Sequence, residues 1–436
     1  MKRRTFLKAA SAAGFGLVTS PGVSSWLSSP NEQVRVAVMG LNGRGTVLAR
    51  AFARAAHAHV GAVCDVDATV LAKGVSVVAR AQSQAPTGLD DFRRALDDKD
   101  VDALVIAAPD HWHAPAAILA MQAGKHVYVE KPCGHNPHEG ELLVAAQRKH
   151  QRVVQMGTQQ RSAPRSMELV AAIKEGVIGR PYLARTWYAN TRASIGRGKV
   201  APVPKTLDYE LWQGPAPRTP YHDNVIHYNW HWFRRWGTGE ICNNGTHELD
   251  VARWALGVDY PSSVTSVGGR YHFDDDWEFP DTQEACFGFD GGKTIIWQGQ
   301  SCNGLTTFGR SRGTAILGAA GSAVVDRDGY IIYDLKERVL KQSLAAKGVD
   351  GLNTSADDDM TGLHIDNFVD AIRTGAALHQ PIDEGVKSVL LGHLGNIAQT
   401  LGRTLRVDAA SGRVLGDEAA MKFWQREYAA GWAPAV

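Results

Sequence analysis

Four short apolar runs restrict the N-terminal part of the chain to one type of fold. The runs are "VRVAVMG", "HVGAVCD", "VDALVIAAP" and "HVYVE", and helix-like segments such as "GTVLARAFARAA" separate them. Strands that are apolar along their whole length are buried on both faces, which is typical of a parallel sheet covered by helices. Residues 34–156 are therefore predicted to form one doubly wound α/β domain.

The pattern changes after Met156. Segments such as "EACFGFDGGKTIIWQGQ" alternate apolar and polar residues around Gly-Gly or Asp-Gly turns, which predicts antiparallel strands. From His364 onward the spacing is helical again. A chain of 436 residues is too long for one compact core, so residues 157–436 are predicted as a second domain.

The first thirty residues resemble an export signal. Arg3 and Arg4 precede a weakly apolar run from Ala9 to Val18, which is the order of a twin-arginine signal. That run is about half the roughly 20 residues that a bilayer-spanning helix needs. We therefore expect residues 1–30 to be a signal and linker, with no integral membrane span, and the protein to be periplasmic or otherwise exported. A disordered basic tail is the alternative.

Charge and cysteine content exclude several classes of protein. The formal net charge is +2 from 47 basic and 45 acidic side chains, so bulk charge does not favour nucleic acid, and a small molecule is the expected partner. The five cysteines are odd in number and scattered, which favours free thiols, with a Cys286–Cys302 bridge as the alternative. No zinc-type spacing of His or Cys and no G-x-S-x-G motif is present, so no metal is predicted.

The turn "GLNGRG" after the first strand indicates a dinucleotide site of the Rossmann type. Glycines allow a pyrophosphate to approach the backbone and the N-terminus of the next helix, although Asn42 replaces the second glycine of G-x-G-x-x-G. Asp65, at the end of the second strand, is placed to bind the ribose hydroxyls. An acid there repels a 2′-phosphate, so NAD is favoured over NADP, with Arg44 leaving NADP as the weaker alternative.

Polar residues also follow the fourth and fifth strands, at the same sheet edge. The segments are "APDHWH" and "EKPCG", and a helix is predicted between Pro115 and Ala123. Proline after Lys131 keeps the lysine backbone extended, whereas Glu130 and Lys131 could also be a plain surface pair. We expect the nicotinamide between the 109–113 loop and Lys131. The residues predicted to contact the cofactor are Gly40, Asn42, Gly43, Arg44, Gly45, Asp65, Pro109, Asp110, His113, Glu130 and Lys131.

Residues 224–257 contain four tryptophans and three histidines. Aromatic rings beside polar groups suit the apolar faces of a sugar, but a tryptophan-rich core explains them equally well. Within this stretch, His247 and Asp250 are predicted to share one face of a helix. The candidate substrate residues are Arg161, Tyr228, Trp230, His231, Asn243 and His247.

The motifs "VEKP" and "GTGEICNNGTHELD" make the chain similar to the glucose-fructose oxidoreductase and inositol dehydrogenase superfamily, also called Gfo/Idh/MocA. The resemblance covers nearly everything after the signal. It implies a Rossmann domain followed by an α/β domain with an open, largely antiparallel sheet, C-terminal helices that pack back toward the first domain, and a homo-oligomer, either a dimer or a tetramer.

The resemblance also implies roles for individual residues. The catalytic lysine of the family corresponds to Lys131, in a motif whose proline is typically cis. The D-x-x-x-H pair corresponds to Asn243 and His247, so the aspartate is replaced by an amide that still hydrogen-bonds substrate. His247 is expected to be the general base and Lys131 the group that polarises the substrate oxygen, although the two roles could be exchanged.

These expectations define one principal function and two alternatives. The principal hypothesis is an exported enzyme that moves hydride between a ring hydroxyl of a sugar or glycoside and a tightly bound NAD. Similarity to a secreted, sugar-acting subgroup adds an NAD-dependent glycosidase that oxidises, eliminates, hydrates and reduces. A non-catalytic sugar or nucleotide sensor is the second alternative, and the presence of both Lys131 and His247 argues against it.

Overall fold

The computed structural model describes residues 33–345 and 359–436. The predicted export signal, residues 1–30, lies outside these ranges. Within them, no helix combines the length and apolar character needed to cross a bilayer. All five cysteines are free thiols, as predicted, and the Cys286–Cys302 alternative is not formed.

The first domain is a six-stranded parallel sheet with helices on both faces. Its strand order is β3-β2-β1-β4-β5-β6, the doubly wound order, which confirms the predicted fold class. The strands are β1 (Val34–Met39), β2 (Ala58–Cys64), β3 (Thr87–Leu89), β4 (Ala103–Ile106), β5 (His126–Val129) and β6 (Val154–Met156). The helices are α1 (Arg44–Arg54), α2 (Ala68–Ala81), α3 (Arg93–Asp97), α4 (Asp110–Gln122) and α5 (Pro137–His150).

Helix α4 begins at Asp110. The sequence had predicted a start at Pro115, so that prediction was wrong by five residues. Pro115 lies inside the helix and has no N–H for the carbonyl of His111, four residues earlier. Arg426 Nη2 donates to that carbonyl at 2.6 Å, so the helix continues past the proline with its acceptor satisfied. The predicted 109–113 loop is therefore the first turn of a helix.

The second domain is built on a nine-stranded sheet of order β14-β13-β12-β11-β7-β10-β9-β8-β15. Among the strand pairs that the structure describes in this sheet, the pair β7–β10 is parallel and the others are antiparallel. This confirms a largely antiparallel sheet. Its strands are β7 (Pro181–Ala189), β8 (Ser263–Gly269), β9 (Thr282–Phe289), β10 (Lys293–Gln300), β11 (Arg312–Gly318), β12 (Gly321–Val325), β13 (Gly329–Asp334), β14 (Val339–Leu344) and β15 (Leu405–Arg406). Its helices are α6 (Pro164–Lys174), α7 (Tyr209–Gln213), α8 (Gly239–Asn243), α9 (Gly245–Leu256), α10 (Asp359–Thr374), α11 (Ile382–Leu401) and α12 (Glu418–Met421), with 3₁₀ turns at Gln159–Ser162 and Asn229–Trp232.

The C-terminal helices pack against both domains. Phe368 of α10 contacts Phe52 of α1 and Tyr128 of β5 edge to face, at ring-centroid distances of 6.3 and 5.7 Å. Helix α11 packs between α5 of the first domain and α9 of the second. Part of the first domain's core is therefore supplied by the end of the chain.

Arg161 does not lie at the cavity where substrate was expected. Its guanidinium forms two hydrogen bonds, of 2.8 and 2.9 Å, with the carboxylate of Asp250, and both side chains are buried. Asp250 also accepts hydrogen bonds from Ser388 and Gln380 on the C-terminal part of the chain. The pair joins the 3₁₀ turn after β6 to α9, so Arg161 has a structural position and the sequence interpretation of it was wrong.

Replacing Arg161 by leucine should lower the free energy of unfolding by about 3–5 kcal/mol, because it leaves the Asp250 carboxylate buried without its cation. Denaturant unfolding followed by circular dichroism measures the loss. Arg165→Leu, an exposed arginine on the following helix, is the matched control. Wild-type stability of the Arg161 variant with weakened sugar binding would restore the substrate interpretation.

Candidate active site

A cavity of about 500 Å³ lies between the two domains, at the carboxyl ends of β1, β2, β4 and β5. Open α/β sheets bind ligands at this edge. Most of the predicted site residues line it: Gly40, Asn42, Gly43, Arg44, Asp65, Pro109, Asp110, His113, Glu130, Lys131, Tyr228, Trp230, His231, Asn243 and His247. Gly45, the second residue of α1, is not one of the lining residues. Arg161 lies outside the cavity, in contact with Asp250.

The glycine turn is shaped by close backbone approaches. A Cβ on Gly40 (φ +81°) would lie 2.6 Å from the backbone nitrogen of Ala108, and one on Gly45 would lie 1.7 Å from the carbonyl oxygen of Gly40. Gly43 (φ +52°) has no atom within 4 Å of its Cβ position, so the turn is open on the cavity side. Helix α1 thus starts against β1 and presents its N-terminus to the cavity.

Asp65 is fixed beside this turn. Its carboxylate accepts hydrogen bonds from the backbone N–H groups of Leu41 (2.8 Å) and Asp67 (2.9 Å). Burial raises the pKa of Asp65, and the two N–H donors offset this only in part. An open glycine turn, a helix N-terminus and a carboxylate at the end of the second strand are the groups that a dinucleotide requires, so the residues present fit this cofactor.

Glu130 and Arg44 form an ion pair on the wall of the cavity, with Arg44 Nε 2.9 Å from Glu130 Oε1. Gln159 donates to the same carboxylate oxygen at 3.1 Å. Burial alone would raise the pKa of Glu130, but the charges of Arg44 and Lys131 lower it below its ordinary value. Glu130 therefore carries charge and positions Arg44 beside the glycine turn.

Lys131 is held by two oxygen atoms of the second domain. Its Nζ donates to the carbonyl oxygen of Asn243 at 2.9 Å and to the side-chain Oδ1 of Asn243 at 3.0 Å. The peptide bond between Lys131 and Pro132 is cis. Burial lowers the pKa of Lys131. The negative charges of Glu130 and Asp110 act in the opposite direction but do not cancel this effect. An ammonium has three N–H donors, so one remains for a substrate oxygen.

Glu240 determines which way the Asn243 amide faces. Asn243 Nδ2 lies 3.3 Å from Glu240 Oε1, and Arg192 Nε lies 2.8 Å from Glu240 Oε2. A carboxylate only accepts hydrogen bonds, so the amide nitrogen faces Glu240 and the amide oxygen faces Lys131. The amide therefore preserves the contact that an aspartate would make with Lys131, without its negative charge.

His247 lies on the first turn of α9 and is 7% exposed. Among the described residues, none makes a hydrogen bond to its ring. Burial holds the pKa of His247 well below its ordinary value, and the positive charges of Arg312 and Arg327 add to this. The ring is therefore neutral at neutral pH and has a lone pair available to accept a proton.

Asp110 and His113, on the first turn of α4, connect the cavity wall to neighbouring loops. Thr238 donates to Asp110 at 2.6 Å, and burial raises the pKa of Asp110. The His113 ring lies between the carbonyl oxygens of Pro132 (2.6 Å) and Ala108 (2.7 Å). These contacts join the first turn of α4 to Ala108 after β4, to Pro132 directly after Lys131, and to Thr238 of the second domain.

Three aromatic residues of the second domain form another part of the wall. The rings of Trp230 and His231 stack with centroids 3.6 Å apart, and Tyr228 lies 4.7 Å from His231. The Tyr228 hydroxyl accepts from Arg192 at 2.8 Å. The aromatic wall is therefore linked through Arg192 to Glu240 and the Asn243 amide.

Several residues at the site were not predicted from the sequence. Glu240 lies inside the quoted motif "GTGEICNNG", where its charge was the available signal, whereas no local pattern identifies the others. The missed residues that line the cavity or bond to its groups are Gln159, Arg192, Trp212, His227, Thr238, Glu240 and Asn244.

Two family models match the chain. Residues 34–158 match an oxidoreductase family model with an NAD-binding Rossmann fold, GFO_IDH_MocA, and residues 173–315 match the C-terminal alpha/beta domain of the same oxidoreductase family. Together the matches span more than half of the sequence. The chain belongs to the Gfo/Idh/MocA oxidoreductase family. The predictions of an oxidoreductase and of NAD as its cofactor are thereby confirmed.

The sequence of this protein matches curated relatives over only part of their length. A glycosyl hydrolase family 109 protein of Saccharopolyspora erythraea is 30% identical over 201 residues, 41% of this chain and 43% of the relative. One from Stenotrophomonas maltophilia is 38% identical over 140 residues, 31% of this chain and 30% of the relative. The match thus spans less than half the length of these relatives.

Solved structures share the fold over most of the chain. Levoglucosan dehydrogenase in complex with NADH and levoglucosan superposes with a TM-score of 0.66 at 18% identity, covering 86% of this chain and 99% of that one. Aldose-aldose oxidoreductase from Caulobacter crescentus, complexed with glycerol, gives a TM-score of 0.65 at 19% identity, covering 86% and 100%. At these identities the likeness concerns the fold.

Replacing Asn243 by aspartate should raise the pKa of Lys131, because it places a carboxylate about 3 Å from an ammonium whose pKa burial lowers. The limb of the pH–rate profile that belongs to Lys131 should move to higher pH by about one to three pH units. A shift of the rising limb identifies Lys131 as the base, and a shift of the falling limb identifies it as the proton donor. A profile that does not move would show that Lys131 does not titrate in the rate-determining step.

Proposed function

We propose that this enzyme moves hydride between a ring hydroxyl of a sugar or glycoside and a tightly held NAD. The observation that carries the proposal is the convergence of Lys131, Asn243 and His247 on the cavity that also contains the glycine turn and Asp65. A donor, an acceptor and a neutral base thus share one space with the dinucleotide elements. NAD, when bound, supplies the hydride acceptor.

The residues divide the remaining work between them. His247 accepts the proton of the reacting hydroxyl, because its ring is neutral and its lone pair is not taken by another described residue. Lys131 donates its third N–H to the same oxygen and stabilises the charge that develops there. Asn243 keeps the ammonium pointing in a fixed direction. The aromatic wall offers apolar surface to a sugar ring.

A segment of the second domain supports retention of the cofactor. Residues 206–236, the cover segment, pass over the loop that follows Asp65. Ala68 N donates to the Thr206 carbonyl at 2.8 Å, Asp208 N donates to the Val66 carbonyl at 2.9 Å, and His227 Nε2 lies 3.2 Å from Asp67 Oδ2. Asp65 and His227 line the same cavity, so a nucleotide whose ribose is bound to Asp65 would lie beside these contacts, and they would hinder its release.

Export and assembly belong to the same proposal. The Arg3-Arg4 pair and the apolar run after it support transport by the twin-arginine route, which carries folded proteins that already contain their cofactor. An exported enzyme has no NAD pool to draw on, so it should recycle its nucleotide within each turnover. The homo-oligomer, a dimer or a tetramer, rests on the family resemblance.

A glycosidase that works by transient oxidation is the second candidate function. It is favoured by similarity to the glycosyl hydrolase family 109 proteins and by the cover segment, since a retained cofactor suits chemistry that returns the hydride to the same sugar. It differs from a plain dehydrogenase in releasing the aglycone without added NAD and without net NADH. A sensor would bind sugar with no change in nicotinamide absorbance.

Replacing Lys131 by methionine or His247 by alanine should lower reduction of the bound nicotinamide by sugar at least about a hundredfold, because each change removes a group that acts on the reacting oxygen. Stopped-flow nicotinamide absorbance measures the rate, and nucleotide analysis after denaturation checks that the cofactor remains. Undiminished reduction in both variants, with nucleotide still bound, would contradict the assigned roles.

Purified enzyme should release about one NAD per chain on denaturation, and little on dialysis. Replacing His227 by alanine removes its hydrogen bond to the Asp67 carboxylate, worth roughly 0.5–1 kcal/mol, so nucleotide loss should become about two- to fivefold faster. His222→Ala, in the cover segment but away from the cavity, is the matched control. Loss at equal rates from all three proteins would remove the cover segment from the account.

A further inference from the structure

Three side chains of the types that bind zinc converge in the second domain, outside the cavity between the domains. They are His272, Asp281 and Cys302, and one potential ligand atom from each lies within 4.8 Å of the other two. A ring nitrogen, a carboxylate oxygen and a thiolate sulfur are the three donors that zinc takes in proteins. The sequence prediction of no metal rested on short spacings, which residues brought together by folding do not need.

Backbone pairing fixes Asp281 and Cys302 next to each other. Asp281 directly precedes β9, and Ser301 directly follows β10. The N–H of Ser301 donates to the carbonyl oxygen of Asp281 at 2.8 Å, which extends the antiparallel pairing of the two strands by one residue. Cys302, the next residue, is therefore attached to the sheet at the level of Asp281.

The Asp281 carboxylate is buried and held in one orientation. Its Oδ2 accepts hydrogen bonds from the backbone N–H groups of Tyr271 (2.8 Å) and His272 (3.2 Å). Its Oδ1 accepts from the Thr282 hydroxyl at 2.9 Å and lies 3.3 Å from Nδ1 of His272. A carboxylate whose far oxygen is fixed by N–H donors has the outer support that metal-binding carboxylates use. Oδ1 is thus the oxygen placed to bind an ion.

Arg270 lies near Asp281 but is paired with another acid. Its Nη2 is 2.6 Å from Oδ1 of Asp275, and its guanidinium also donates to the carbonyl oxygens of Phe273 and Trp277. Its Nε is 3.5 Å from Asp281 Oδ2 and forms no hydrogen bond with a described residue. Because Asp275 balances Arg270, the charges of the Asp281 carboxylate and of a Cys302 thiolate together match a divalent cation.

We propose that Nδ1 of His272, Oδ1 of Asp281 and Sγ of Cys302 bind a divalent transition-metal ion, for which zinc is the best chemical match. Zinc forms bonds of about 2.0–2.3 Å in a tetrahedral arrangement, which places its ligand atoms about 3–4 Å apart. The three atoms need to approach each other by only about 1 Å. His272 is exposed, so the ion has a path from solvent and water can take the fourth position. This site is independent of the proposed hydride transfer.

Binding exchanges protons for the ion and transfers no electrons. A carboxylate only accepts hydrogen bonds, so Nδ1 of the neutral His272 ring carries the hydrogen that faces Asp281. When the ion binds to Nδ1, that hydrogen is replaced and the neutral ring carries its proton on Nε2. The Cys302 thiol releases its proton to solvent as the bond from sulfur to the metal forms.

The ion would reinforce a part of the sheet that supports the active site. The Ser301 carbonyl accepts from the backbone N–H of Arg192 at 2.9 Å, and the Ser301 hydroxyl donates to Glu240 at 3.1 Å. Arg192 and Glu240 in turn fix the amide of Asn243. A metal bound at the neighbouring Cys302 therefore stabilises these contacts without touching substrate or cofactor.

The test uses the full-length enzyme with its cofactor, treated with a chelator and then titrated with Co²⁺ and Zn²⁺. The variants are Cys302→Ser and His272→Ala. Their matched controls are Cys286→Ser, which removes a half-buried thiol of β9 outside the cluster, and His138→Ala on α5. Circular dichroism checks that each protein is folded. Near-ultraviolet absorbance detects a bond between cobalt and a thiolate, and thermal unfolding measures stabilisation by zinc.

We expect wild type and both controls to show the charge-transfer absorbance of a cobalt–thiolate bond, which zinc abolishes by displacement, and Cys302→Ser to lack it. His272→Ala should bind cobalt at least about tenfold more weakly, since even outer-shell partners of a metal are worth that much. Zinc should raise the unfolding temperature of wild type and not of Cys302→Ser. Folded wild type without the absorbance, the same absorbance in Cys302→Ser, or undiminished affinity in His272→Ala would each overturn the proposed ligand set.

Discussion

The hydrogen bonds from Lys131 to Asn243 join the two domains at the point where chemistry is expected. Lys131 follows β5 of the first domain, Asn243 ends α8 of the second, and the ammonium lies 2.9 and 3.0 Å from two oxygens of that one residue. Two bonds fix the direction of the third N–H. Because the donor and its holder belong to different domains, any relative movement of the domains would change where the remaining N–H points. The active geometry therefore depends on the packing of the domains against each other.

Charge around the cavity is arranged so that Lys131 and His247 can act. Two acids of the site are each paired with an arginine, Glu130 with Arg44 and Glu240 with Arg192, and Glu248, which follows His247 on α9, is paired with Arg312. The residue in direct contact with Lys131 is an amide, so that contact adds no charge to raise its pKa. Burial shifts Lys131 and His247 toward their neutral forms, which is the condition for proton transfer near neutral pH. Asn243, where the family resemblance implies an aspartate, thus keeps the contact with Lys131 without placing a negative charge beside it.

Local sequence patterns predicted the parts of the molecule that depend on short-range physics. Continuous apolar strands, the glycine turn and Asp65 identified the first domain and its cofactor side, because strand ends of a parallel sheet meet at one edge. Two interpretations depended on partners distant in sequence and were wrong. Arg161 was assigned to substrate because nothing nearby indicates Asp250, and α4 was started at Pro115 because the sequence does not show that Arg426 satisfies the carbonyl of His111. Glu240 was missed for the same reason, since its effect on Asn243 appears only when the side chains are placed.

The central claim is that a sugar carbon beside Lys131 and His247 gives up hydride to a nucleotide that stays bound. A single-turnover experiment with glycosides deuterated at individual ring carbons tests it most directly, with the isotope content of the nicotinamide measured by mass spectrometry. The account predicts that one labelled position transfers its deuterium to the nicotinamide and slows nicotinamide reduction by a primary isotope effect. Retention of deuterium at every ring position, with no isotope effect on reduction, would contradict it.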